Sequence, residues 1–274
     1  MSEPILANKT TVKKIFDDAA ARYDRVGTRV FEIAGARLVE LMDIPVGARM
    51  LDIATGIGAV LIPAAERVGE KGRVIGIDLA DGMLEQARRE ISARGISNAI
   101  LREMDAEHLE FSDATFDAVA CGFALFLMPA MESAAREMQR VCKASGRVGL
   151  TVWGKDPFDP AWKIISEQAR AYGAEVRMPH KVAYAPEEIR LLLADAGWRA
   201  IETRVEVMDA AYANEDEWWE FQATTGFRAA LERMTDATRE KFKHEYLAKL
   251  ESLKRADGSL HFPAPVLYAV AQKE

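Results

Sequence analysis

Ten residues, Met50-Leu-Asp-Ile-Ala-Thr-Gly-Ile-Gly-Ala59, constrain this chain more than any others. An apolar run ends in an acidic residue, Asp52, and then enters a turn of small residues that includes Ala54, Gly56 and Gly58. Glycine lets the backbone turn sharply and approach a ligand closely, because no Cβ stands in the way. The pattern is that of a strand running into a tight loop ahead of a helix. A second acidic strand end, Asp78 in Val74-Ile-Gly-Ile-Asp78, follows at the separation expected for a carboxylate that grips ribose hydroxyls. Together the two motifs predict a site for an adenosine-containing cofactor.

From Arg49 onward, strand-like runs alternate with helical patterns, which predicts an α/β protein with a parallel sheet covered on both faces. Strands are expected near 49–54, 73–78, 99–103, 117–122 and 146–153, with helices near 58–69, 82–94 and 130–143. In the second of these helices Asp81 is the expected N-cap, Glu85/Arg89 and Glu90/Arg94 the i,i+4 pairs, and Gly95 the terminator. Two helices precede the sheet, near 9–22 and 28–42, the latter with Val30, Ile33, Leu38 and Leu41 as its apolar members. Beyond 153 a helix is expected near 161–172, another opening at Pro186 and closing at Gly197, and a strand over 199–208. A charged helical stretch over 214–256 then precedes a last strand near 265–271. An insertion of that length and pattern reads as a helical cap rather than a loop. The expected organisation is an N-terminal helical lid over 1–45 and a cofactor-binding core over 46–153. Residues 154–274 hold the rest of the sheet and an acceptor-binding cap near 155–183 and 210–260.

With 274 residues and 49% hydrophobic residues, the chain can bury a large core without disulfides or metal. A formal net charge of −7 disfavours nucleic acid and anionic membranes as partners. The start, Met1-Ser-Glu-Pro-Ile, lacks the features of a signal peptide, and the longest apolar run, Ala118 to Met131, is broken by Pro129 and too short to span a bilayer. Cys121 and Cys142 read as buried free thiols. The expectation is a cytoplasmic protein acting on a small molecule, with no membrane or nucleic-acid partner. Its oligomeric state stays open, a homodimer among the options.

Motifs at several further points bring a family into view. The chain resembles the class I S-adenosylmethionine-dependent methyltransferases, in particular the small-molecule group that includes the ubiquinone/menaquinone-biosynthesis enzymes. The resemblance rests on Phe16-Asp-Asp-Ala-Ala-Ala-Arg-Tyr-Asp24, Leu51-Asp-Ile-Ala-Thr-Gly-Ile-Gly58 and Gly76-Ile-Asp-Leu-Ala-Asp-Gly-Met83. It continues through Met104-Asp-Ala106, Phe116-Asp-Ala-Val-Ala-Cys-Gly122 and Gly146-Arg-Val-Gly149, so it covers residues 10–153 in order. It implies a Rossmann-like, doubly wound sheet of seven strands, mostly parallel, with an antiparallel last strand.

The cofactor implied is S-adenosylmethionine, with S-adenosylhomocysteine as product. In the family, the residue matching Asp52 lies near the methionine part, which the backbone around Gly56 and Gly58 approaches. The match of Asp78 takes both ribose hydroxyls, and Leu79 and Met83 lie against the adenine. Asp105, between Met104 and Ala106, accepts from the adenine amino group, and Tyr23 closes over the cofactor; Gly122 and Phe123 complete the set. One position departs from the pattern: Ala54 stands where the family usually has glycine, which matters only if that backbone needs positive φ.

A dinucleotide fingerprint wants a third glycine, and the corresponding position is Leu61. Asp52 would also repel a pyrophosphate, whereas it suits a cationic sulfonium. A nicotinamide oxidoreductase is therefore the weaker reading, as is a lyase, isomerase or cyclase that only holds the cofactor. Asp117 reads as structural. The four histidines, His108, His180, His244 and His261, show no metal-ligand spacing. His180, in the segment after the fifth strand, is the first candidate for a general base and acceptor contact, His261 the second. Phe126 and Trp153 are the aromatic candidates for the acceptor pocket. Cys121-Gly-Phe-Ala-Leu-Phe126 lacks the Asn/Asp-Pro-Pro-aromatic tetrapeptide of amino-group methyltransferases, which favours a small acceptor.

Overall fold

The computed structural model describes residues 8–174 and 179–274. Residues 1–7 and 175–178 lie outside them, so the leader expectation and that part of the expected cap fall outside the described residues. A single sheet of seven strands runs in the order β3-β2-β1-β4-β5-β7-β6. Its strands are β1 Arg49–Ile53, β2 Arg73–Asp78, β3 Ala99–Glu103, β4 Phe116–Gly122, β5 Cys142–Trp153, β6 Arg199–Tyr212 and β7 Leu260–Gln272. The first five pair in parallel, and β7 runs antiparallel to both neighbours, β5 and β6. The expected architecture is therefore observed. Because β1 lies between β2 and β4, the chain reverses direction of winding there. Ligands of such sheets bind at that crevice, beyond the carboxyl ends of the strands.

The central strands are apolar on both faces because helices cover both. Met50, Leu51 and Ile53 of β1 and Val119, Ala120 and Cys121 of β4 are all inaccessible to solvent. Helices α3 Leu61–Val68, α4 Asp81–Ala93 and α5 Met131–Val141 follow the crossovers, after α1 Lys9–Ala19 and α2 Val30–Met42. Helix α2 comes so close to the loop after β1 that a Cβ on Gly35 would stand 2.2 Å from the Ala59 carbonyl oxygen. Of its expected apolar members, Ile33 instead faces solvent at 47% exposure. Cys121 and Cys142 are both buried free thiols.

Several local expectations need correction. Helix α4 is capped from another element: Asp17 of α1 accepts the Gly82 N–H at 2.7 Å, and Asp81 is already helical. Glu85 does pair with Arg89 at 3.3 Å. Glu90 and Arg94, however, turn to other elements, to Arg25 between α1 and α2 at 2.8 Å and to Glu32 of α2 at 3.3 Å. Tertiary partners here outcompete the i,i+4 alternative, which is worth only a few tenths of a kcal/mol. Beyond β5 come α6 Ala161–Ala171 and α7 Pro186–Asp195, and between β6 and β7 the helical stretch divides into α8 Glu215–Thr224, α9 Arg228–Leu231 and α10 Asp236–Leu250. Among the described residues, no helix is long and apolar enough to cross a membrane.

Candidate active site

Strand β1 ends at Ile53, and the next residues turn away too sharply for right-handed backbone. Ala54 (φ 52°), Gly56 (φ 54°) and Gly58 (φ 99°) all adopt positive φ, which delays the start of α3 to Leu61. Position 54 therefore does need the conformation that glycine adopts freely. An alanine there bears a strain of about 1 kcal/mol. The loop is fastened by Thr55, whose N–H donates to the Ile77 carbonyl at 2.9 Å and whose hydroxyl donates to Asp52 Oδ2 at 2.6 Å.

Two carboxylates flank this loop. Asp52 is 1% exposed. Burial pushes its carboxyl up to about 7, against the Thr55 hydrogen bond and with help from the negative charge of Asp78. Asp78 ties two chain segments together: Oδ2 accepts the Gly56 N–H at 2.8 Å and Oδ1 accepts the Ala80 N–H at 2.9 Å. Burial raises its pKa as well, and those backbone donors oppose the rise. Since each carboxylate oxygen has two acceptor sites, one on each remains for a further donor. That is the complement of a vicinal diol.

A cleft opens beside Asp78. Of the expected cofactor residues, Tyr23, Ala54, Gly56, Asp78, Leu79 and Met83 line it, as do Met104, Asp105, Ala106, Gly122 and Phe123. Asp52 lines a smaller hollow that shares Tyr23, Ala54, Gly56, Gly122 and Phe123 with the cleft. Gly58 does not reach either. It borders a separate hollow with Asp24, Arg29 and Glu32, because the turn has already swung away toward α3.

Asp105 sits at the far end of the cleft, under α1. Lys9 Nζ lies 2.7 Å from Asp105 Oδ2 and also contacts Glu107. Burial works against ionisation of Asp105, but Lys9, the Glu107 amide and His108 together hold its carboxyl below the usual range. His108 thus does approach carboxylates, contrary to the reading of scattered histidines: one ligand atom from each of Asp105, Glu107 and His108 falls within 4.8 Å of the others. The Lys9 ammonium already supplies the countercharge there. One turn on, Lys13 Nζ reaches the Leu79 carbonyl at 2.7 Å and Glu103 Oε1 at 2.6 Å. Two lysines four residues apart thereby hold α1 over the ends of β2 and β3.

A second cavity adjoins the cleft, and Phe16, Tyr23, Phe123 and Leu127 line both. Phe126 and Trp153 are in its wall, with Phe31, Phe221 and Phe227. The rings form a continuous cluster: Phe123 and Trp153 centroids are 4.4 Å apart at a tilt of 46°, and those of Tyr23 and Phe31 are 5.3 Å apart and nearly parallel. Trp218 is fully buried in the core, where Tyr246 accepts its indole N–H at 2.7 Å.

His180 is placed differently from the expectation. Its Nε2 lies 3.1 Å from the Met128 carbonyl oxygen and 3.3 Å from that of Pro129, and it lines neither cavity. Those contacts engage the ring in holding the chain after β4. His261 is farther still, bound through Nδ1 to Asp209 at 2.7 Å at the β6–β7 edge. Asp117 is structural: it accepts from the Arg49 N–H at 2.8 Å and from Lys143 at 2.7 Å.

Sequence reasoning missed Lys9, Val12, Phe16 and Glu107, and the Leu127-Met-Pro129 turn, all of which line the cleft. A signal for the first three existed, since 9, 12 and 16 share one face at helical spacing. Nothing comparable marks the turn, whose position depends on where β4 releases the chain.

Comparison with known proteins follows the same boundaries. A family model described as a methyltransferase domain matches residues 50–146. An aklanonic acid methyltransferase of Streptomyces sp. (strain C5) is 40% identical over 143 residues, 52% of this chain and 65% of that protein. A demethylmenaquinone methyltransferase of Staphylococcus epidermidis is 34% identical over 163 residues, 58% of this chain and 66% of that protein. The matches thus span slightly less than two thirds of these relatives. In fold, the YcgJ protein of Bacillus subtilis superposes with a TM-score of 0.60 at 21% identity, over 88% of this chain and 99% of its own. The matched segment begins in β1 and holds the Asp52, Gly56, Asp78 and Asp105 motifs in order, and on that ground residues 50–146 are assigned to the methyltransferase domains that the family model describes.

Proposed function

We propose that this protein transfers the methyl group of S-adenosylmethionine to a small hydrophobic or aromatic acceptor. The observation that carries the reading is the junction of two unlike cavities. One is lined by Asp78 and Asp105, the other largely by aromatic rings, and they meet at Phe16, Tyr23, Phe123 and Leu127. When bound, the cofactor supplies a methyl group already activated by positive sulfur.

The residues present fit that group. Asp78, with a free acceptor site on each oxygen, suits the ribose diol, and Leu79 and Met83 suit the adenine face. Asp105, held ionised, suits an exocyclic amine. Asp52, close to the glycine loop, suits a cation and would repel a diphosphate. Tyr23 and Phe123 exclude water between the two compartments, and alignment of the reactants in a dry junction is the main catalytic contribution such a site needs. The names of the relatives, which speak of aklanonic acid and demethylmenaquinone, are in keeping with a ring-bearing acceptor.

The test is transfer of label. Methyl-tritiated S-adenosylmethionine is incubated with the protein and a panel of hydrophobic aromatic acids, phenols and amines, and the organic extract is counted. Label is expected in the extract with at least one acceptor, and lost in the Asp78→Ala variant. Label that stays on the donor throughout, with the donor bound, contradicts the reading.

A further inference from the structure

The second cavity has two polar groups in its wall that the fold leaves without partners. Gln222, on α8, is 1% exposed and lines the cavity, and its buried Nε2 has no hydrogen-bond partner. Trp162, on α6, lines the same cavity, and its indole Nε1 is likewise buried without an acceptor. Buried donors are nearly always paired, so two unpaired ones at one cavity point to a ligand atom that accepts from them. The other such atoms, Asp24 Oδ1 and Trp198 Nε1, belong to residues outside this wall.

What the wall lacks is equally informative. Among the described residues that line it there is no Asp, Glu, Lys, Arg or His. Its one phenol, Tyr23, stays protonated, because burial and the charges of Asp24 and Asp78 push its pKa far above the usual value. His180 is occupied at the Met128 and Pro129 carbonyls. An alcohol or an ammonium must lose a proton before it attacks, and no described group here is placed to take it.

Resting on the methyl-transfer reading, we propose that the acceptor is an oxygen acid of carboxylic type on an apolar, ring-bearing body, received as its anion by the N–H groups of Gln222 and Trp162. A lone pair of the anionic oxygen forms the new O–C bond to the methyl carbon as the S–C bond breaks, and the electrons of the S–C bond remain on sulfur. Anion and sulfonium both become neutral, and no proton moves in the step. A carboxylate in an apolar cavity is costly alone. The positive charge across the Tyr23–Phe123 junction and the two N–H donors offset that cost.

The probes are 2-naphthoate and naphthalene, titrated by tryptophan fluorescence into protein saturated with sinefungin, a cationic cofactor analogue with no methyl to transfer. Wild type should bind 2-naphthoate at least about tenfold tighter than naphthalene, in line with hydrogen bonds to a charged acceptor. Gln222→Leu and Trp162→Phe should each shrink that ratio severalfold, with naphthalene and sinefungin affinities unchanged as the mark of an intact fold. A wild-type ratio near one, or a ratio unaltered in both variants, overturns the proposal. Failure of sinefungin to bind at all overturns the methyl-transfer reading and the acceptor assignment with it.

Discussion

Replacing Asp78 separates two roles that the structure gives to one side chain. Its oxygens hold the Gly56 and Ala80 N–H groups at 2.8 and 2.9 Å, so the residue braces the glycine loop and the start of α4 before any ligand arrives. Hydrogen bonds to a charged group are worth about 1.5–3 kcal/mol each. Removing two of them is offset in part by no longer burying a charge whose pKa burial has raised. A net loss of about 3 kcal/mol follows for Asp78→Ala, or roughly 6–12 °C in Tm for a chain of this size.

On the ligand side, two ribose hydroxyls lose their acceptor. At a similar worth per bond this is at least about 3 kcal/mol, or roughly 100-fold in affinity. Asp78→Asn is no innocent control, because its amide nitrogen must face one of the two backbone donors. The assay is calorimetric titration with S-adenosylhomocysteine beside a thermal melt. Affinity within threefold of wild type refutes the ribose assignment, and an unchanged Tm refutes the bracing role.

Other consequences can be measured on the same preparation. Ala54→Gly relieves positive φ at the cost of a looser unfolded chain, and should raise Tm by about 1–2 °C in a melt; a fall would show that the left-handed backbone there carries no strain. Gly35→Ala should lower stability by about 2 kcal/mol in urea unfolding, because the added Cβ would meet the Ala59 carbonyl at 2.2 Å. Asp52 has a folded-state pKa of about 7, above its unfolded value. The native state therefore binds the extra proton, and stability of the cofactor-free protein falls as pH rises from about 4 to 7 and then levels, at most about 1.4 kcal/mol per unit. Asp52→Asn should flatten that slope in melts at pH 5 and 7.5. Lys9→Met with Lys13→Met should speed proteolytic cutting near α1 severalfold, whereas an unchanged rate would mean that these ion pairs do not hold the helix down.

What was legible in the sequence was what repeats locally. The apolar runs of β1 to β4 and the helix start at Pro186 were read within a residue of their observed limits, whereas β5 and β7 begin four and five residues earlier than expected and β6 ends four later. Asp78 and Asp105 were found because acidic residues at strand ends stand out from apolar runs. What escaped depends on long-range contact. Asp17 capping α4 and Lys9 reaching Asp105 require α1 to lie over the sheet, 65 and 96 residues away along the chain. Gly58 was grouped with Gly56 by spacing, yet one turn of positive φ sends the two to different sides of the loop. His180 drew notice for its chemistry, which says nothing of what its ring touches.

The most direct test is a crystal grown with S-adenosylhomocysteine and examined in the cleft beneath α1. The account predicts density with the ribose hydroxyls on Asp78, the adenine amine toward Asp105 and the sulfur facing the Tyr23–Phe123 junction. A cleft that stays empty at saturating ligand, or that takes up a dinucleotide with its diphosphate against Asp52, contradicts it.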